Sequence, residues 1–250
     1  MAYTTQKTIQ YKKPYKYIFA ILESKKMSFQ MTHMEIAYRV AERFNITDGR
    51  AEFILGSVAP DCVHFRDDYV IEHKIHSHLF EECGPWGDTH DYDRWLSNID
   101  KFWEEKVTNE QDIKKKMFLL GYCVHCKTDY YNDTIIWRGL QRVHIPPMTV
   151  EEFKEEYYPE ARLIDKWLYQ NSNNTNDIRD LLNRSEVYDF ENYIYAKDQN
   201  TLKNHLLNVQ YNVPTVDPEG YKYYTREKII KFTDKVTEEI SNWRLVTEIL

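Results

Sequence analysis

The chain has 250 residues, 42% hydrophobic and 15% aromatic, a composition that supports a buried core and excludes disorder. Its 33 basic and 40 acidic residues leave a net charge of −7, which excludes a nucleic-acid coat working by counterion release. Seven glycines and eight prolines beside 20 tyrosines favour helices over a turn-rich β fold.

Residues 1–30 carry lysines and tyrosines without a period, and are read as an N-terminal extension packed on the surface of one helical domain, 31–250. Their apolar run, residues 17–22, is too short to span a bilayer and lacks a small-residue cleavage site. A cytoplasmic protein without a transmembrane segment is expected. Cys62, Cys83, Cys123 and Cys126 are then expected to be reduced core thiols. Cys123-Val-His-Cys126 has metal-finger spacing, but no second pair does.

Thr32-His-Met-Glu35 reads as a capping box that opens a helix, with Ile36, Val40 and Phe44 on one face. Asp48 is expected to cap a second, nearly all-apolar helix over 51–59, which Pro60 stops with Asp61 at its exit. Residues 62–90 read as a long loop with a short helix, dense in histidine: His64, His73, His76, His78 and His90. Loops of that length inside a compact domain are usually functional. An amphipathic helix over 92–106 and a long buried helix over 113–133 follow. After Pro146-Pro147 come several polar helices through 211, with loops at 171–177 and 212–220. A last amphipathic helix runs from Thr225 to the end.

His125 and Asp129 lie four apart on a helix with apolar neighbours, so both side chains share one face. A neutral imidazole and a carboxylate there either hold one metal ion or hydrogen-bond to each other in the core. His33, in the first turn of its helix, opposes the helix dipole when charged, which favours the neutral ligand form. Asp61 alone reads as a turn aspartate.

The ordered segments T32-H-M-E-I-A-Y-R-V-A, L55-G-S-V-A-P-D61, S77-H78-L-F and L119-L-G-Y-C-V-H125-C-K-T-D129 resemble the zinc-dependent phospholipase C family over about residues 31–135. The resemblance implies an all-α, multi-helix bundle of the phospholipase C and nuclease-like type, with a metal cluster in a cleft. It implies one ion on Asp61, His78, His125 and Asp129, and a second on His33 that shares Asp129. His78 is chosen over His64, His73 and His76 for its Ser-His-aromatic context, with His64 as runner-up. With 32 residues ahead of His33, the family's free N-terminal amine ligand is absent unless the chain is processed, and water or His76 would take its place. The third site's histidines and glutamate are also missing: YYNDTIIW stands there, and Pro146-Pro147 follows His144. One or two zinc ions are therefore expected, with Fe, Mn or Ni as other divalent choices and Asp133 as a substitute ligand for a rebuilt third site.

The implied activity is metal-dependent hydrolysis of a small phosphate ester or phospholipid, with Asp61 orienting or deprotonating the attacking water. Lys74 or Arg138 would steady the phosphate, and Phe65, Tyr69, Phe80, Trp86 and Trp137 supply an apolar rim. The alternatives are a nuclease- or nucleotide-directed phosphoesterase of the same fold, with nucleic acid entering only as substrate, and a non-catalytic or degenerate helical metal binder. A histidine–aspartate phosphohydrolase would need an adjacent His-Asp pair, and only His90-Asp91 qualifies. The oligomeric state has no sequence signal.

Overall fold

The computed structural model describes residues 29–190 and 192–243. The predicted extension up to residue 28, and the end of the last helix from 244, lie outside the described residues. The all-α expectation holds. The α-helices are α1 (Gln30–Arg43), α2 (Arg50–Gly56), α3 (Ile71–Ser77), α4 (Tyr92–Phe102), α5 (Ile113–Asn132), α6 (Arg138–His144), α7 (Val150–Asn171), α8 (Thr175–Arg184), α9 (Ala196–His205) and α10 (Arg226–Ser241). A 3₁₀ helix spans Ala59–Phe65, and π turns widen the ends of α4, α5 and α9. Among the described residues, strand pairing is limited to one isolated bridge between Phe190 and Ile194. No helix among them is long and apolar enough to cross a membrane.

α5 runs through the core. Every residue from Met117 to Thr128 is buried, as expected of a helix apolar on all sides. All four cysteines are free and buried, Cys123 and Cys126 on α5 itself, and burial raises both of those thiols. α2 crosses α5 where glycine faces glycine. A Cβ at Gly56 would sit 2.1 Å from the Phe118 carbonyl oxygen, and one at Gly121 would sit 2.1 Å from the Phe53 carbonyl oxygen. Neither backbone can yield locally, so the helices would have to separate. Gly121→Ala is expected to destabilise the protein by about 2 kcal/mol or more, overpacking outweighing the better helix propensity of alanine. Urea unfolding checks this.

Two predicted helix starts are corrected. α1 begins at Gln30, not at Thr32, and its N-cap Phe29 offers no side-chain cap. The Thr32–Glu35 capping box does not form. Thr32 Oγ1 instead donates to Asp165 Oδ1, and Glu35 is engaged by Arg39, Ser172 and Asn174. The cap comes from α7: Asp165 accepts the backbone N–H groups of Met31 and Thr32 at 3.1 and 2.9 Å. A buried carboxylate in the right place satisfies the exposed N–H groups better than a local hydroxyl. At α2 the N-cap is Gly49 in the left-handed region, φ 70°, rather than Asp48. Pro60 does not end a helix either. It lies in the first turn of the 3₁₀ helix, where its missing N–H costs nothing, and Asp61 follows in that same turn.

Candidate metal centre

Four elements meet at the N-terminal end of α1. α1 brings His33, the 3₁₀ helix brings Asp61, the C-cap of α3 brings His78, and α5 brings His125 and Asp129. The three histidines and Asp61 are buried, while Asp129 keeps 17% side-chain exposure and opens onto a cavity.

The glycine crossing fixes His125. It brings the Ser57 carbonyl within 2.8 Å of His125 Nδ1. A carbonyl only accepts, so Nδ1 carries the proton and Nε2 presents its lone pair. His78 is held in the same way. Ser77 Oγ donates to the Lys74 carbonyl at 3.2 Å, so it accepts from His78 Nδ1 at 2.9 Å. Trp95 Nε1 donates to the His78 carbonyl at 3.0 Å and the Tyr122 hydroxyl donates to that of Ser77, which lock the residue in place.

Those tautomers leave a donor set with no proton in it. His78 Nε2 is 3.2 Å from His125 Nε2, 3.3 Å from Asp61 Oδ1 and 3.4 Å from Asp129 Oδ2. His125 Nε2 is 3.6 Å from the same Asp129 oxygen. Zinc bonded at about 2.0–2.1 Å sets tetrahedral donor–donor edges of about 3.4 Å. Two lone-pair nitrogens and two carboxylate oxygens at that spacing repel one another unless a cation sits among them. Burial drives His125 down to about 3, aided by His33, and lowers His78, aided by Lys74, so both stay neutral near pH 7. Burial alone would raise Asp61 and Asp129. Against it, the Lys74 ammonium foremost holds Asp61 well below the usual carboxylate range, and His33 foremost lowers Asp129.

The second oxygen of Asp129, Oδ1, turns the other way, 3.3 Å from His33 Nε2. The His33 ring stacks on His125 at 4.1 Å, and its buried Nδ1 has no hydrogen-bond partner. Two metal-capable donor groups result among the described residues, His33–His125–Asp129 and Asp61–His78–His125.

The other histidines go elsewhere. His73 accepts from the Val70 backbone, and His76 pairs with Glu81 and stacks on Tyr193. His64 flanks the cluster, its Nε2 3.4 Å from Asp61 Oδ1. His144 packs on Phe153 and Tyr223. His90 is exposed against Asp88, and Asp91 caps α4, so the adjacent His-Asp pair builds no site. Asp133 takes a hydrogen bond from Thr89 Oγ1 at 2.6 Å and belongs to neither donor group.

Above the cluster lies a cavity of about 300 Å³. Asp61, Asp129 and Asp133 reach it from below, and Tyr69, Phe80, Trp86 and Trp137 are in its wall. Phe65 packs on His205 instead. Lys74 lines the cavity, while Arg138 is tied to Asp88 and the Thr89 carbonyl. Sequence reading missed Gln30, whose Nε2 donates to Asp61 Oδ2 at 2.6 Å. It had fallen at the edge of the supposed extension, and a lone glutamine carries no spacing signal.

Residues 32–131 match the family model described as zinc dependent phospholipase C. Over that segment, two fifths of its length, the chain is similar to the zinc-dependent phospholipase C family. The match begins one residue before His33 and ends two residues after Asp129, and so contains all five converging side chains. No curated protein and no solved structure matches the chain.

Proposed function

We propose that the chain is a zinc-dependent hydrolase of phosphate esters, a phospholipase C-like phosphodiesterase. The observation that carries this reading is the proton-free environment of His78 Nε2, which has His125 Nε2, Asp61 Oδ1 and Asp129 Oδ2 at 3.2–3.4 Å, close to the edge length of a tetrahedral zinc shell. His125 has one free nitrogen and serves one ion. An ion beside His78 would therefore take it with Asp61 and Asp129, and a second would be held by His33 and Asp129. Zinc bound there supplies a Lewis acid for phosphoryl oxygens and a water that ionises near neutral pH.

The chain's own groups do the rest. Gln30 clamps Asp61 Oδ2 and so fixes Oδ1 toward the donor set, from where Asp61 would orient the attacking water. Trp86, Trp137 and Tyr158 wall the cavity, keep bulk water off the ester and pack against its organic part.

Elemental analysis of protein purified without a histidine tag tests the metal. Absence of stoichiometric Zn, Fe, Mn or Ni, with stability untouched by chelator, would sink the reading. His78→Ala is expected to lose most of the zinc and reduce bis-p-nitrophenyl phosphate hydrolysis by about 100-fold or more, whereas His76→Ala keeps both within about twofold. The reverse pattern would move the ligand to His76. Phosphatidylcholine vesicles, nucleotides and single-stranded DNA, assayed side by side, then identify the ester.

A further inference from the structure

Among the described residues lining the cavity, Lys74 is the one lysine or arginine, beside three carboxylates and mostly aromatic or apolar side chains. Its side chain is only 15% exposed. The ammonium lies 3.2 Å from Asp61 Oδ1 and 3.3 Å from His64 Nε2, and 4.5 Å over the Trp86 ring. Three local geometries converge on that placement. Lys74 and His78 are four apart, so the start of α3's last turn and its C-cap address the same place. Asp61 and His64 are three apart on a 3₁₀ helix, where such residues eclipse. The Trp86 ring lies beneath the ammonium itself.

An ammonium has three donors, and the two polar partners seen here belong to the cluster or its edge. Asp61 has other support, from Gln30 on one oxygen and from any metal ion on the other. An anionic phosphate entering this cavity meets Asp61, Asp129 and Asp133. Metal ions offset the first two, and Asp133 stays in the wall with Thr89. A point charge held beside the metal ligands is what such a ligand needs. We infer that Lys74 receives the phosphate, pairing with a phosphoryl oxygen in the cavity beside the cluster. This role rests on the phosphate-ester reading above. It goes beyond it by separating anion capture, on α3, from metal binding.

Inorganic phosphate, titrated by calorimetry into the zinc-loaded full-length protein, is the probe, with zinc content measured on the same samples. Lys74→Met is expected to weaken phosphate binding about tenfold or more while zinc content stays at the wild-type level, and Lys74→Arg to retain most of the affinity. Lys74→Gln, which keeps a polar tip without the charge, gives the same readout if the methionine variant is unstable. Unchanged phosphate affinity in the uncharged variants would overturn the role, and so would a fall in zinc content that accounts for the loss. A wild-type protein that holds no metal and cleaves no ester would instead overturn the phosphate-ester reading itself.

Discussion

Asp129→Ala is expected to lose zinc and phosphodiester hydrolysis together, the rate falling by about 10³-fold. Both of its oxygens are committed. Oδ2 faces His78 and His125, and Oδ1 faces His33. No other carboxylate among the described residues faces all three imidazoles, so the deletion removes one ligand from each candidate ion at once. Elemental analysis and bis-p-nitrophenyl phosphate turnover read the two losses. A third measurement separates metal loss from unfolding. Chelator should lower the melting temperature of the wild type and leave that of Asp129→Ala nearly unchanged, because a ligand stabilises only a protein that binds it. Equal rates in variant and wild type would remove Asp129 from the mechanism.

Asp165→Ala is expected to cost about 3 kcal/mol of stability. Asp165 accepts from the backbone of Met31 and Thr32, from the Thr32 hydroxyl and from the Tyr211 hydroxyl, all of them buried. Alanine leaves those donors without their acceptor. Burial raises this carboxyl, but its four donors oppose the shift. Asp165→Asn, which keeps one acceptor oxygen, should cost less. Urea unfolding measures both. The same helix end carries Gln30 and His33, so zinc affinity should fall with stability. A variant as stable as wild type would show that the cap is dispensable.

The sequence made the site legible where chemistry depends on local spacing. His125 and Asp129 sit four apart on a helix whose apolar neighbours predicted its burial, and the structure puts both beside the cavity floor. His78 could be chosen from its neighbours only by resemblance, because side-chain direction at a helix C-cap depends on where the chain turns next. The capping box failed for a physical reason. Thr32 and Glu35 have the local pattern, but a carboxylate 133 residues away outcompetes the hydroxyl. Gln30 was invisible for a similar reason, since its partner Asp61 lies across a tertiary contact. Lys74 was readable only as a nearby charge. Its burial against Trp86 and the 3₁₀ helix emerged from packing.

The glycine contact between α2 and α5 also acts as a gauge block for the metal centre. The Ser57 carbonyl reaches His125 only because two backbones touch, so the separation of the helices sets which nitrogen of that imidazole carries the proton. Widening the gap by a fraction of an ångström weakens that hydrogen bond before it exposes any core. Substitutions along this seam therefore fall into a class of their own: folded, far from the cavity, and deficient in metal because the ligand has lost its tautomer.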